Sequence, residues 1–213
     1  MNSEDVAAYL KAHPEFFEQY AEMMAEINIP HPHGGRSIPI SERQILTLRE
    51  KSKQYEGKLR EIIQFGEEND AIGAKLHRIT LALLAATDVA GAVHAIDFNL
   101  REDFSVPHVV LRVWRGAGEL PVFQPASEAT RDFTAKLAHP HCCAQAVADT
   151  ALLFGESAPL LKSFAYICLR DRESFGLLAL ASEDAHRFYP DMGTIFLSRL
   201  GDIISAALAR YLV

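Results

Sequence analysis

The chain is poor in the residues and patterns that mark most familiar chemistries. Cysteine is scarce: Cys142, Cys143 and Cys168 are the three in 213 residues, an odd number too small for a disulfide framework, which fits a reducing compartment. No run approaches the roughly 20 apolar residues that a membrane span needs, so no membrane partner is expected. The start, MNSEDVAAYLK, lacks a basic segment followed by an apolar one; no signal peptide is expected, and the expected location is the cytoplasm. Basic charge is in deficit, with 21 Lys and Arg against 28 Asp and Glu for a net charge of −7. A general binder of phosphate backbones needs a cationic footprint, so no nucleic-acid partner is expected. Also missing are a phosphate-cradling Gly-rich loop followed by Lys-Ser/Thr, a His-Glu-x-x-His pair and a Gly-x-Ser-x-Gly elbow. No catalytic residue can be assigned, and a non-enzymatic role is the expectation.

What is present is ample material for a core. Hydrophobic residues make up 49% of the sequence, enough for a globular protein of one or two domains. Three parts are distinguishable. Residues 1–40 read as a helical arm: Ser3, Glu4 and Asp5 open a helix bearing Val6, Tyr9 and Leu10, and Pro14 opens a second one bearing Phe16, Phe17, Tyr20, Met23, Met24 and Ile27. That second face is too apolar for a short helix to leave in water, so the arm should dock on something, a protein partner included. Pro30 to Gly35 cannot continue a helix, and His31 and His33, which flank Pro32, are read as loop residues rather than metal ligands.

Residues 41–76 read as a long connecting helix. Ser41-Glu42-Arg43-Gln44 is a capping box. Ile45, Leu48, Ser52, Tyr55, Leu59 and Ile62 alternate steps of three and four, and Phe65, Asn69, Ile72, Leu76, Ile79 and Leu83 continue the pattern after an extra three-residue step, a phase slip of stammer type. The stripe predicts a parallel homodimeric coiled coil with Asn69 fixing the register, or else a helix packed on its own arm. Gly57, Gly66 and Gly73 weaken the helix by ~1 kcal/mol each relative to Ala, so contacts must help to hold it. The interleaved Arg43, Arg49, Lys51, Lys53, Lys58 and Arg60 read as a solvated helix surface.

Residues 77–213 read as an α+β domain. Asp88 can cap a helix from Val89 to about Leu100. Val109, Leu111 and Val113 alternate with Val110, Arg112 and Trp114 in a strand. Pro121 to Phe123 and Ala151 to Phe154 are expected to be further strands, with a short helix from Ser127 to Leu137 between them. Ser163 to Arg170 and Ser174 to Ala181, joined by Asp171-Arg172-Glu173, form an antiparallel hairpin. A closing amphipathic helix carries Met192, Ile195, Phe196, Leu200, Ile203, Ile204, Ala207, Leu208 and Tyr211.

Strand, hairpin, strand, Phe-Tyr-Pro-Asp turn and terminal helix resemble the end of a GAF domain, a small sensory module. Pro14-Glu15-Phe16-Phe17, Pro30-His31, Ile40-Ser41-Glu42-Arg43-Gln44 with Leu48-Arg49, Arg187-Phe188 and Gly193 to Leu197 together resemble the bacterial family called domain of unknown function 484, described as GAF-like. The resemblance implies an architecture: a GAF-like antiparallel sheet flanked by helices, preceded by the arm and the long helix. It implies no catalytic residue. The Asn-Lys and Asp-Glu signature of cyclic-nucleotide-binding GAF domains is not visible, and the short Cys-His order of bilin-attaching ones is absent.

Alternation divides the sheet. Val109, Leu111, Val113, Ala165, Ile167 and Leu169 should lie beneath the end helices. The mixed face, with Arg112, Trp114, Tyr166, Cys168 and Arg170, should then look toward the middle segment and line a ligand pocket together with Phe123 and His141. Arg112 and Arg170 suit a carboxylate or phosphate. His139-Pro140-His141-Cys142-Cys143 has ligand-type side chains but not ligand-type spacing. The expected function is a dimeric sensory or regulatory protein that binds a small-molecule ligand or a partner on the mixed face. The alternatives are an interaction scaffold with a vestigial pocket and a metal or thiol redox sensor.

Overall fold

The computed structural model describes residues 2–29 and 38–212. His31, His33 and their loop lie outside the described residues, as does the side chain of Ser41 in the expected capping box. Two compact units are present, Met1–Glu67 and Glu68–Val213.

The first unit is mostly helical. Helix α1 (Ser3–Ala12) starts where Asp5 accepts the backbone N–H of Asn2 at 2.9 Å, and it stops at His13, before Pro14. The helix expected after Pro14 is broken at Tyr20 into α2 (Glu15–Gln19) and α3 (Ala21–Glu26). Strands β1 (Asn28–Ile29) and β2 (Ile38–Pro39) pair antiparallel and lead into α4 (Ile40–Ala85). This helix runs unbroken through the phase slip and through all three glycines, as far as the last residues of the 3,4 stripe that the sequence carries to Leu83.

The second unit contains the end of α4, then α5 (Val89–Phe98), whose cap Asp88 accepts the N–H of Gly91 at 2.7 Å. A π-helical turn, Asn99–Asp103, follows. Next come β3 (His108–Val113), α6 (Glu128–Lys136), β4 (His141–Cys143), β5 (Ser163–Arg170), β6 (Ser174–Ser182) and α7 (Ile195–Ala209). The sheet has four antiparallel strands in the order β3-β6-β5-β4. This is the α+β class and the hairpin that the alternation predicts, with Ile167 opposite Leu178 and Leu111 opposite Leu178 on the other side.

Two expected strands are corrected. Pro121–Phe123 and Thr150–Leu160, which includes Ala151 to Phe154, are 3₁₀ turns. Pro121 has no N–H to give a ladder, and the positive φ of Gly155 together with Pro159 breaks the second run. The real edge strand is β4, three residues long, with Pro140 immediately before it.

Both faces of the sheet are covered. Leu111, Val113, Ala165, Ile167, Leu169, Leu178 and Leu180 pack with Ile79 and Leu83 of α4, Ile96 of α5 and Leu200, Ile204 and Leu208 of α7. Phe164, Tyr166, Leu177 and Ala179 pack with Phe133 of α6 and with Phe154. The two halves of the α4 stripe therefore differ in environment. Leu48, Tyr55 and Ile62 are 65%, 67% and 65% exposed, whereas Leu76, Ile79 and Leu83 are 7%, 0% and 1% exposed. The later half, read from sequence as a continuation of the dimer seam, is core of the chain's own domain. A two-point bond from Arg78 to Asp103, 3.0 Å at each nitrogen, and a 2.7 Å bond from the Tyr211 hydroxyl to Ala86 O lock this end in place.

Candidate functional site

On the mixed face the side chains of β5 and β6 meet the middle segment. Tyr166 is fully buried; its hydroxyl shares a 2.7 Å hydrogen bond with the Thr150 hydroxyl, which also donates to Val147 O at 2.6 Å. Burial raises the Tyr166 pKa. The ring of Phe133 stands edge-on to Tyr166 at 5.3 Å, and Phe164 stacks beside it at 6.2 Å. A short polar chain holds the covering segment down: the Ser127 hydroxyl accepts the N–H of Thr130, the Thr130 hydroxyl donates to Asp149 at 2.7 Å, and the Thr134 hydroxyl donates to Thr130 O. These bonds satisfy the polar groups beneath α6, which otherwise would cost about 1–3 kcal/mol each. The centre of the face is a packed aromatic layer.

The candidate residues are distributed around this layer. Trp114 lies at its rim, with Nε1 donating to Ser174 O at 2.9 Å and the guanidinium of Arg131 5.8 Å from its ring. His141 meets Phe133 edge-on at 6.2 Å. Arg112 turns out to the free edge of β3, where it donates to Leu111 O at 3.0 Å, Pro121 O at 3.3 Å and Gln124 Oε1 at 3.4 Å. Its Nε is buried without a partner, and desolvation lowers its pKa. Phe123 sits beside it in the Pro121–Phe123 turn. Cys168 and Arg170 line a different opening, of about 220 Å³, between Leu137–Pro140 and the Ser198, Gly201 and Asp202 side of α7. There Arg170 donates to Leu137 O, and its backbone N–H donates to Ser205 Oγ at 3.2 Å. Trp114, Tyr166 and His141 thus share the aromatic layer, while Arg112 with Phe123 and Cys168 with Arg170 stand at two separate margins.

The opening at Arg170 exists because β4 covers only part of β5. The 2.9 Å bond from the Trp114 N–H to Phe175 O fixes the alternation, so Phe164, Tyr166, Cys168 and Arg170 turn their backbone groups toward β4. Strand β4 pairs only as far as His141 opposite Tyr166. Beyond it, Ser205 occupies the N–H of Arg170.

The cysteines of β4 lie on opposite sides of their strand. Cys142 packs with the aliphatic layer and Cys143 with the aromatic one. Burial pushes the Cys142 thiol up to about 11 and raises Cys143 as well, so both resist the thiolate form that a metal or a redox reaction needs. Among the described residues no group of three or more His, Cys, Asp or Glu is placed to hold a metal ion. No described helix is long and apolar enough to cross a membrane.

Sequence reasoning did not single out the groove around Arg187. Its walls are Ile72 of α4, Leu100, Phe104, Val106, Phe188, Met192, Phe196 and Leu200. The signal was present, since the aromatic pair Phe188-Tyr189 follows Arg187 in a mostly polar turn.

Among solved structures, the GAF domain of a phosphoenolpyruvate-protein phosphotransferase from Coxiella burnetii aligns with a TM-score of 0.51 at 16% identity, over 65% of this chain and 93% of that one. At that identity the likeness shows the fold, which is GAF-like. Comparison with curated proteins gives no match. The family model described as "protein of unknown function, DUF484" matches residues 1–213, and the chain belongs to that family.

Proposed function

We propose that this chain is a non-enzymatic sensory or regulatory protein that works as a homodimer, two copies pairing along the first half of α4. The observation that carries the reading is the exposed stripe Ile45, Leu48, Tyr55, Leu59, Ile62 and Phe65 on a continuous helix. So long an apolar seam with seven-residue periodicity is stable in water only when a partner covers it. The domain end of the same helix is core, so a ligand bound to the domain acts on an element that also enters the seam. Sedimentation of the full chain should give twice the chain mass at micromolar concentration, and Leu59→Glu with Ile62→Glu should give the single-chain mass. A wild-type chain that sediments as a monomer rules the reading out.

A second reading has its own support. Tyr9, Phe17, Tyr20 and Met23 of the arm are exposed, and the centre of the mixed face is filled, which favours an interaction protein whose arm recruits another protein. Removal of the arm would then abolish partner capture while leaving the number of chains in the sedimenting particle unchanged.

A further inference from the structure

We infer that the groove around Arg187 is a binding site for a small monocarboxylate with an apolar body. The inference deepens the regulatory reading and rests on it for its consequence, because Ile72 in the groove wall belongs to the connecting helix α4.

The walls are almost wholly aliphatic and aromatic, and the one charged side chain that lines the groove is Arg187. Its guanidinium is held by a 2.6 Å bond from Nη2 to Phe104 O and lies 5.6 Å from the centre of the Phe188 ring. Nε is buried and has no hydrogen-bond partner. No ion pair to Arg187 occurs among the described residues. The nearest acid in sequence to that contact, Asp103, is taken by Arg78. The ammonium of Lys75 lies 5.7 Å from the ring centre of Phe104 and adds positive potential at the same end. A half-buried guanidinium with spare donors in an apolar groove is an unbalanced charge, and a planar carboxylate is the group that matches its fork.

Size and charge narrow the ligand further. The volume of about 200 Å³ corresponds to about seven water-sized atoms at roughly 30 Å³ each, so the body is a short alkyl chain or a single ring. A phosphate has more anionic oxygens than the fork of Arg187 can pair, and the rest would face an apolar wall without hydrogen bonds, while a neutral apolar molecule would leave Arg187 unpaired.

Pentanoate is the probe, with pentan-1-ol and pentylamine as controls of the same length, each titrated into the full-length protein by ligand-observed NMR. Pentanoate should saturate, and the alcohol and amine should bind at least roughly tenfold more weakly, as expected for loss of a charge-assisted hydrogen bond. Arg187→Gln should weaken pentanoate by a similar factor. Because Arg187 also holds Phe104 O, a second variant guards against a folding defect: Gly193→Glu places an acid in the lining at a position where an added Cβ meets nothing within 4 Å, and it should weaken pentanoate while sparing pentan-1-ol. The inference is overturned if pentanoate does not bind, if it binds no better than pentan-1-ol, or if neither variant changes its affinity. Sedimentation of the same samples reports the dimer separately, so an empty groove in a dimeric protein and a filled groove in a monomeric one are distinguishable results.

Discussion

The thiol of Cys142 faces the aliphatic layer at 5% exposure, and its pKa stands at about 11 rather than 9.0 because burial disfavours the anion and Cys143 lies beside it. A group whose pKa is raised on folding contributes stability that is complete below the unfolded value and is lost as pH climbs through the folded one. For Cys142 the window is pH 9 to 11. Cys142→Ala should therefore flatten the alkaline fall in stability over that interval, measured as the urea midpoint at successive pH values, with Cys143 and Tyr166, which are also raised, left to account for the remaining slope. At pH 8 the native thiol should resist iodoacetamide and react only after unfolding. Rapid alkylation of Cys142 in the folded protein would show that the side chain is not held in this layer.

At the scale of elements, Gly201 sets how closely α7 lies on β5. A Cβ there would fall 2.5 Å from Ile167 Cγ2, well inside contact distance. Helix propensity alone predicts that Gly201→Ala stabilises α7 by about 1 kcal/mol, while forcing a methyl into a filled contact costs about 1–3 kcal/mol. The steric effect is the larger, so the variant should lower the urea midpoint; a raised midpoint would mean that α7 can slide over the sheet without cost. The same closeness bears on what could be read in the sequence. The hairpin and α7 were legible because long runs keep one period from end to end. Pro121–Phe123 and Ala151 to Phe154 were not, since short apolar runs fit a strand and a 3₁₀ turn equally well. Strand β4 escaped because three residues carry no period, and its pairing depends on the edge of β5. Alternation placed Tyr166 and Trp114 on the mixed face, but whether that face is hollow depends on Phe133, Phe154 and Thr150, whose folding over it leaves no local pattern.

For the whole molecule, the apolar stripe of α4 meets two environments, and the phase slip between Ile62 and Phe65 lies near their boundary. Before it the stripe is exposed; from Leu76 onward it is core. On the proposed dimer, association and domain stability should then respond to different substitutions. Ile79→Ala removes a fully buried side chain and should lower domain stability by about 2–5 kcal/mol, read as a lower urea midpoint with unchanged slope, while the sedimenting mass stays that of the wild type. Ile62→Glu should do the reverse, halving the mass at dilute concentration and leaving the unfolding midpoint of the monomer where the domain core sets it. If Ile62→Glu lowered the domain midpoint as much as Ile79→Ala, the first half of α4 would be packing on its own chain, and the exposed stripe would not be a seam between copies.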